Sequence, residues 1–347
     1  QAQFDRIHRP WKTLSGAKAA ASTGDTIVVH PGTYDEKNLL KDGVDWHFTV
    51  GAIVEYTGRA DGGLFDDSTT GENDVVRCVI SGWGEFRRLG SGSSGDVFKI
   101  WKPGSKVTAT FHRATGIARG LAVAGDSTTE LIARFDSIET SDGALDCVGG
   151  YMYAHGRSAI CDNIGHENDG GVAEIHLDLL EGADQGLWIA TPPGPVSRYT
   201  IHRIVGGETG IQHASGDAVV VADRIESTDD ATVLAGGHSL RVRGAKIVNL
   251  GTSSAVHSWI PDFVLQDCIL EPGAGAVEAG GVPPRFVGGR NPKAFVSSQS
   301  TLAGFLAVEQ ATTNLRRGDF VKLTTGAVHL LNADDPSAAS SYVTLVP

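Results

Sequence analysis

The segment GDTIVVHPGTYDE, residues 24–36, shows how the chain begins to fold. Residues Thr26 to Val29 are mostly β-branched and run toward the pair Pro31 and Gly32, which predicts a short strand ended by a turn. The Ala-rich stretch from about Trp11 to Ala21 favours a helix before that strand. After it the chain continues as short apolar runs between turn residues. These patterns predict one N-terminal helix followed mainly by strands.

An internal repeat continues this pattern through the middle of the chain. Seven segments with near-alternating apolar residues recur every 20 to 26 residues, and they begin at Ile132, Met152, Ile175, Ile201, Val221, Val242 and Leu265. A second short strand follows in most units, but the unit at 151–171 breaks the pattern and its second strand is left unplaced. Irregular turns of about 22 residues are shorter than helical repeats and favour a right-handed parallel β-helix, in which stacked turns bury one another.

The N-terminal turns also resemble a known superfamily. The motifs Gly24-Asp25-Thr26-Ile27, Pro31-Gly32-Thr33-Tyr34 and Ala52-Ile53-Val54 are similar to the first coils of pectin-lyase-like proteins, and the repeated strands extend the resemblance to about residue 285. The resemblance implies a right-handed parallel β-helix. That superfamily includes polysaccharide lyases and hydrolases, phage tailspikes and cell-surface proteins, so the resemblance does not choose a function.

Three parts are predicted for this all-β chain. Residues 1–25 form a segment whose helix caps the first coil, since bare strand edges invite pairing. Residues 26–290 form the β-helix. Residues 297–347 form a small β module in which Leu315, Gly318-Asp319 and Val321 resemble C-terminal modules of phage tail-fibre and tailspike proteins. We expect the apolar residues of this module to close the last coil and to lock a homotrimer.

Charge and hydropathy restrict the partners. The formal net charge is −12 and no basic patch with interleaved aromatics is present, which argues against nucleic acid and against an anionic membrane surface. The apolar runs are too short for a bilayer span, so no membrane insertion is expected. The four cysteines show no zinc spacing. Cys147 and Cys268 lie in apolar strand patterns and are interpreted as buried thiols.

The unit that breaks the repeat holds the catalytic candidates. CDNIGHENDGG, residues 161–171, places Asp162, Glu167 and Asp169 close together in sequence. Glycoside hydrolysis usually uses two carboxyl groups about 5 to 9.5 Å apart. These three are therefore weak candidates for such a pair. The alternative interpretation is a solvated turn that needs Asn and Gly for its backbone conformation.

An outward row of residues gives the ligand-binding candidates. If Leu145, Leu187, Ile211, Val233, Val256 and Val277 point inward, the residues that follow them point outward. Apart from Leu234, the outward residues are Asp146, Trp188, Gln212, His257 and Glu278. An exposed Trp offers a flat face for stacking on a sugar ring and an N–H that donates a hydrogen bond. The alternatives are a subunit interface, or a Trp188 covered by the loop at residues 191–196.

Metal and cofactor binding have little support in the sequence. Residues 66–74, DDSTTGEND, fit the early positions of an EF-hand, but Arg77 stands where that loop needs its final Glu. An irregular calcium site there stays open as an alternative. No cofactor is expected.

Three functions fit these observations. The first is a phage-tail-type or surface fibre protein, structural or binding a surface polysaccharide, located on a virion or outside the cell. The second is a polysaccharide lyase or glycoside hydrolase on the same scaffold. The third is a secreted bacterial adhesin. Without a clear catalytic constellation, the sequence leans away from an enzyme.

Overall fold

The computed structural model describes residues 11–58, 62–67, 75–90, 95–274, 279–282, 284–287, 294–296, 298–308, 310, 320–325, 327–331, 337–339 and 342–346. Within these ranges the chain is an all-β protein. It forms a parallel β-solenoid of about 11 turns with a short N-terminal helix and a small C-terminal sheet. The predicted fold class is therefore confirmed.

Three ladders of parallel strands make up the solenoid. The first ladder contains β1 (Thr26–Val29), β3 (Asp45–Phe48), β6 (Arg77–Gly82), β9 (Lys106–Gly116), β11 (Glu130–Thr140), β13 (Tyr151–Cys161), β15 (Val172–Gly182), β17 (Val196–Gly206), β19 (Asp217–Val221), β22 (Ser239–Arg243), β25 (Phe263–Gln266) and β28 (Arg285–Val287). The second ladder contains β2 (Gly32–Asp35), β4 (Ala52–Tyr56), β7 (Glu85–Arg88), β20 (Arg224–Ser227), β23 (Lys246–Asn249) and β26 (Ile269–Glu271).

The third ladder is a separate sheet of ten strands among the described residues. Its members are β5 (Phe65–Asp66), β8 (Phe98–Ile100), β10 (Arg119–Ala124), β12 (Gly143–Val148), β14 (Ile164–Asn168), β16 (Gln185–Ala190), β18 (Thr209–Ser215), β21 (Val233–Ala235), β24 (Val256–Ser258) and β27 (Ala279–Gly281).

The first two ladders join through the five long strands β9, β11, β13, β15 and β17. The first half of β9 pairs with β6 and its second half pairs with β7, so one continuous strand serves both ladders. Between β11 and β13 the pairing passes from Phe135 directly to Ser137. The skipped residue, Asp136, marks the bend between the two faces.

The interior is one continuous apolar cluster from the N-terminal helix to the last turns. Aromatic rings fill the early turns, where the centroids of Phe65 and Phe98 are 4.8 Å apart and those of Phe98 and Phe111 are 5.2 Å apart. Aliphatic side chains such as Leu187 and Ile211 fill the later turns. All four cysteines are free and buried, as predicted for Cys147 and Cys268. Each turn is thus buried by its neighbours, as in other solenoids.

A helix covers the first turn, as predicted. Helix α1 (Leu14–Ala20) is shorter than the stretch expected from the sequence. Glu36 accepts hydrogen bonds from its first two amides at 3.0 and 3.1 Å, and the Lys41 ammonium donates to the carbonyl oxygen of Ala21 at 2.6 Å. The negative group therefore lies at the helix N-terminus and the positive group at its C-terminus, which complements the helix dipole.

The C-terminal module combines helix α2 (Leu302–Val308) with the strands β29 (Ala294–Val296), β30 (Phe320–Lys322), β31 (Val328–Leu331) and β32 (Tyr342–Val346). Its buried side chains form a cluster of their own, made of Phe305, Val321, Leu323, Ala327, Leu331 and Tyr342. The sequence predicted that such residues would pack against the last coil or a neighbouring chain. Because these six bury one another, their burial does not by itself require a second chain.

Both helices of the described part are seven residues long, and neither is long and apolar enough to cross a membrane.

The stacking of turns predicts a severe effect of Ile211→Asp. Ile211 is fully buried between its ladder partners Leu187 and Val233, so the substitution places an unpaired charge between turns. We expect a loss of several kcal/mol in the free energy of unfolding. The control Val221→Asp adds the same charge at an exposed outward position and should change stability little. A melting temperature of the Ile211 variant within a degree of wild type would contradict the register.

Candidate functional site

The outer face of the third ladder carries one aligned row of residues, which we call the outer column. Strand pairing aligns Asp66, Lys99, Ala122, Asp146, Glu167, Trp188, Gln212, Leu234, His257 and Gly280. Neighbours in a parallel ladder are about 4.8 Å apart. The column therefore brings together Asp146, Trp188, Gln212 and His257, four of the five ligand-binding candidates.

The fifth candidate, Glu278, lies outside the described residues. The last turn of the ladder pairs Val256 with Ala279 and His257 with Gly280. The alignment of Val277 with Val256 expected from the sequence is therefore wrong by two residues. Gly280, rather than Glu278, follows His257 in the column.

The strand that the sequence left unplaced is β14, and it brings Glu167 into the column. Glu167 pairs with Asp146 on one side and Trp188 on the other. The inward position of β14 is His166, which is fully buried and whose Nδ1 lies 3.1 Å from the carbonyl oxygen of Leu145. Because a buried His takes the place of an aliphatic residue here, the apolar repeat does not reveal this strand.

Asn168 is the second polar residue on the inner side of β14. Its side-chain amide lies 2.8 Å from the Tyr199 hydroxyl and 2.9 Å from Ser197 Oγ. All three side chains are buried. These hydrogen bonds offset much of the cost of placing an amide inside the solenoid.

The other two catalytic candidates do not form a pair with each other. Asp162 and Asp169 are exposed and lie beyond opposite ends of β14, on the order of 20 Å apart for an extended strand. Asp162 is therefore far from Asp169, whereas the charge of Asp169 raises the pKa of Glu167, and strand pairing also places Asp146 beside Glu167.

Charged groups occupy the half of the outer column that runs from Asp66 to Glu167, which we call the charged half. The Asp146 side chain is only 3% exposed, and its Oδ2 lies 2.6 Å from Nη1 of Arg119. Its other oxygen, Oδ1, is buried and has no hydrogen-bond partner among the described residues. Arg119 also donates its backbone amide to Asp96, at 3.3 Å. Arg119 is not in the column itself but three residues before Ala122, so the sequence pattern did not reveal it.

Burial dominates the electrostatics of this half. It raises the pKa of Asp146 to about 7, although the Arg119 guanidinium acts in the opposite direction. Glu167, Asp96 and Asp142 raise that pKa further through their charge. Burial also raises the pKa values of Glu167 and Asp96. Two neighbouring carboxyl groups, Asp146 and Glu167, therefore hold their protons more strongly than usual.

Aromatic and polar groups occupy the other half of the outer column, from Trp188 to Gly280. Trp188 is half-buried, and its buried Nε1 has no hydrogen-bond partner within the described ranges. Beside it, Gln185 Nε2 donates to Gln212 Oε1 at 2.6 Å. The ring of His257 lies 4.6 Å from that of Trp259, which is 59% exposed.

A shallow depression of about 520 Å³ lies at this end of the column. Its lining residues are Asp230, Ala231, Leu234, Thr252, Ser253, Ser254, His257 and Trp259. Hydroxyl, carboxylate and aromatic groups thus face one open groove.

Only the start of the segment considered for calcium is described. Asp67 accepts hydrogen bonds from the amides of Trp101 and Lys102 at 2.7 and 3.0 Å, and Asp66 accepts one from the amide of Gly63 at 3.0 Å. Residues 68–74 lie outside the described ranges. Within the residues that the structure describes, no group of three or more His, Cys, Asp or Glu side chains is arranged to hold a metal ion.

Comparison with known proteins found no matching family model, no matching curated protein and no matching solved structure.

The burial of Asp146 predicts a specific pH dependence of stability. Its folded-state pKa of about 7 lies above the unfolded value of about 3.9, so the unfolded chain loses this proton first. The contribution of Asp146 to the free energy of unfolding therefore falls as pH rises from about 4 to about 7. Asp146→Asn should remove this part of the slope, measured as melting temperature against pH. An identical slope in the variant would contradict the raised pKa.

Proposed function

We propose that this chain is a phage-tail-type or surface fibre protein whose outer column binds a surface polysaccharide. The observation that carries this proposal is Trp188, whose half-buried ring lies between Glu167 and Gln212 in the outer column. A sugar presents an apolar ring face and hydroxyl groups together, which suit an aromatic ring flanked by a carboxylate and an amide. The exposed ring of Trp259 extends the same surface.

The scaffold supports a fibre or surface role. A solenoid stacks its turns along one axis, and the long faces that result suit extended ligands. The superfamily resemblance and the phage-tail-like C-terminal module point in the same direction. A virion tail or the extracellular space is the corresponding location. A secreted bacterial adhesin would use the same binding surface and differs in where the chain is displayed.

A homotrimer is part of this proposal. The last turn of a solenoid ends in strand edges, and such edges invite pairing with another chain unless they are covered. Closed cyclic assembly is the usual way in which identical chains cover such surfaces. We expect static light scattering to give three times the chain mass at micromolar concentration. A monomer under these conditions would remove the trimer from the proposal.

Trp188→Ala tests the glycan surface. Against a panel of bacterial capsular polysaccharides and lipopolysaccharides, we expect it to weaken binding by about 1 to 2 kcal/mol, as for stacking of bases on aromatic side chains. The matched control is Trp83→Ala, since Trp83 is 61% exposed and lies between β6 and β7, away from the third ladder. Calorimetry should show normal affinity for the control. Unchanged affinity of the Trp188 variant would remove this residue from the site.

Asp146 and Glu167 favour glycoside hydrolysis as a second candidate function. The two carboxyl groups lie on adjacent paired strands, and hydrolases use such pairs at about 5 to 9.5 Å. A carboxyl group with a pKa of about 7 still carries a proton near neutral pH and suits the role of general acid. Oligosaccharide release from the same panel, lost in Glu167→Gln, would favour the enzyme. Binding without release would favour the fibre or adhesin.

A further inference from the structure

The charged half of the outer column has an excess of carboxyl groups. Asp142, Asp146 and Glu167 lie close enough for their charges to affect one another, and Asp96 and Asp169 add to the same field. Within the described part of the chain, the cations of this half are Arg119 and Lys99, and both already have partners. Arg119 pairs with Asp146, and the Lys99 ammonium lies 4.1 Å from the centroid of the Trp101 ring. The local potential is therefore negative, in line with the net charge of −12.

The polar groups that line the column need donors more than acceptors. An ionised carboxylate only accepts hydrogen bonds. The buried Oδ1 of Asp146 has no donor among the described residues, and Gln212 Oε1 is already occupied by Gln185. The Trp188 N–H is the one group in this set that seeks an acceptor. Glu167 is the partly exposed carboxylate of the column, and a sugar hydroxyl can donate a hydrogen bond to it, whereas a uronate carboxylate only accepts.

We propose that the outer column selects uncharged glycans and rejects polymers of uronic acids. This inference rests on the proposed function and names the class of polysaccharide that the surface takes. The carboxylate of a uronate is negatively charged and only accepts hydrogen bonds. In the outer column it would lie next to carboxylates that have the same properties. Repulsion between like charges in a partly buried site strongly weakens the binding of the anionic polymer.

The test uses pairs of polymers that differ only in charge. Polygalacturonate, alginate and hyaluronan are each compared with the carboxyl-reduced form of the same polymer, together with a panel of neutral polysaccharides. Affinities are measured by calorimetry or biolayer interferometry at pH 8 in EDTA, so that no divalent cation bridges two carboxylates. We expect each uncharged member that binds to do so at least tenfold more tightly than its anionic partner.

Glu167→Gln tests whether the column causes the selection. This variant keeps the shape of the side chain and removes one charge, so the preference for the uncharged member should fall by about three- to tenfold. The control Glu181→Gln makes the same change in net charge on β15, outside the third ladder, and should leave the preference unchanged. Raising the salt to 0.5 M should also reduce the preference, because screening weakens repulsion between exposed charges.

The possible results separate this inference from the proposed function. Tighter binding of uncharged members, with a preference that falls in Glu167→Gln, supports both. Binding of an anionic polymer as tight as its reduced form overturns the selection and leaves a glycan-binding role intact. A preference that is unchanged in Glu167→Gln places the selection elsewhere and also overturns this inference. Binding of no polymer in the set or in the neutral panel overturns the proposed function itself.

Discussion

The pairing of each strand with its equivalent one turn later is the interaction on which the whole structure depends. A single turn has too little interior to bury its own apolar row, so Ile211 is buried only because Leu187 and Val233 lie above and below it. This dependence explains the N-terminal helix. Among the described residues no turn precedes the one that begins with β1, and α1, held by Glu36 and Lys41, lies in that place.

The same stacking creates the candidate site. Along one strand, alternate residues point to opposite faces, and the ladder repeats this alternation in every turn. Asp146, Glu167 and Trp188 are 21 residues apart in sequence at each step, yet they lie on adjacent strands. Because the backbone positions are held by ladder hydrogen bonds on both sides, the outer column is ordered before any ligand arrives. Preorganisation of this kind reduces the entropy lost on binding.

The sequence predicted the parts of the fold that depend on aliphatic repetition. Leu187, Ile211 and Val233 recur at the expected spacing, and the structure aligns them. The prediction failed where other residues take the inward position. The stretch GAVEAGG, residues 275–281, offers both Val277 and Ala279 as small or apolar residues for the inward position. Only the strand pairing shows that Ala279 is the partner of Val256.

The candidate site was only partly visible from the sequence for a related reason. Five members of the outer column, including Leu234, follow from the repeat, but His166 interrupts the apolar pattern, and the sequence therefore places Glu167 in a separate acid-rich loop. Arg119 was missed because its side chain reaches the column from a position three residues away along β10. Contacts of that kind depend on side-chain direction, which a strand pattern does not record.

Strand β14 is the place where the chain departs furthest from the rules that build the rest of the solenoid. Its inner side carries His166 and Asn168, and burial lowers the pKa of His166 to about 4, so the imidazole stays neutral inside. Its Nε2 is buried without a hydrogen-bond partner among the described residues, which costs free energy that an aliphatic residue would not. Its outer side carries Glu167, next to the buried Asp146. Local departures from an optimal folding sequence are expected mainly at functional sites. The polar interior of β14 and the carboxyl pair above it therefore point to the same turn as the centre of the candidate site.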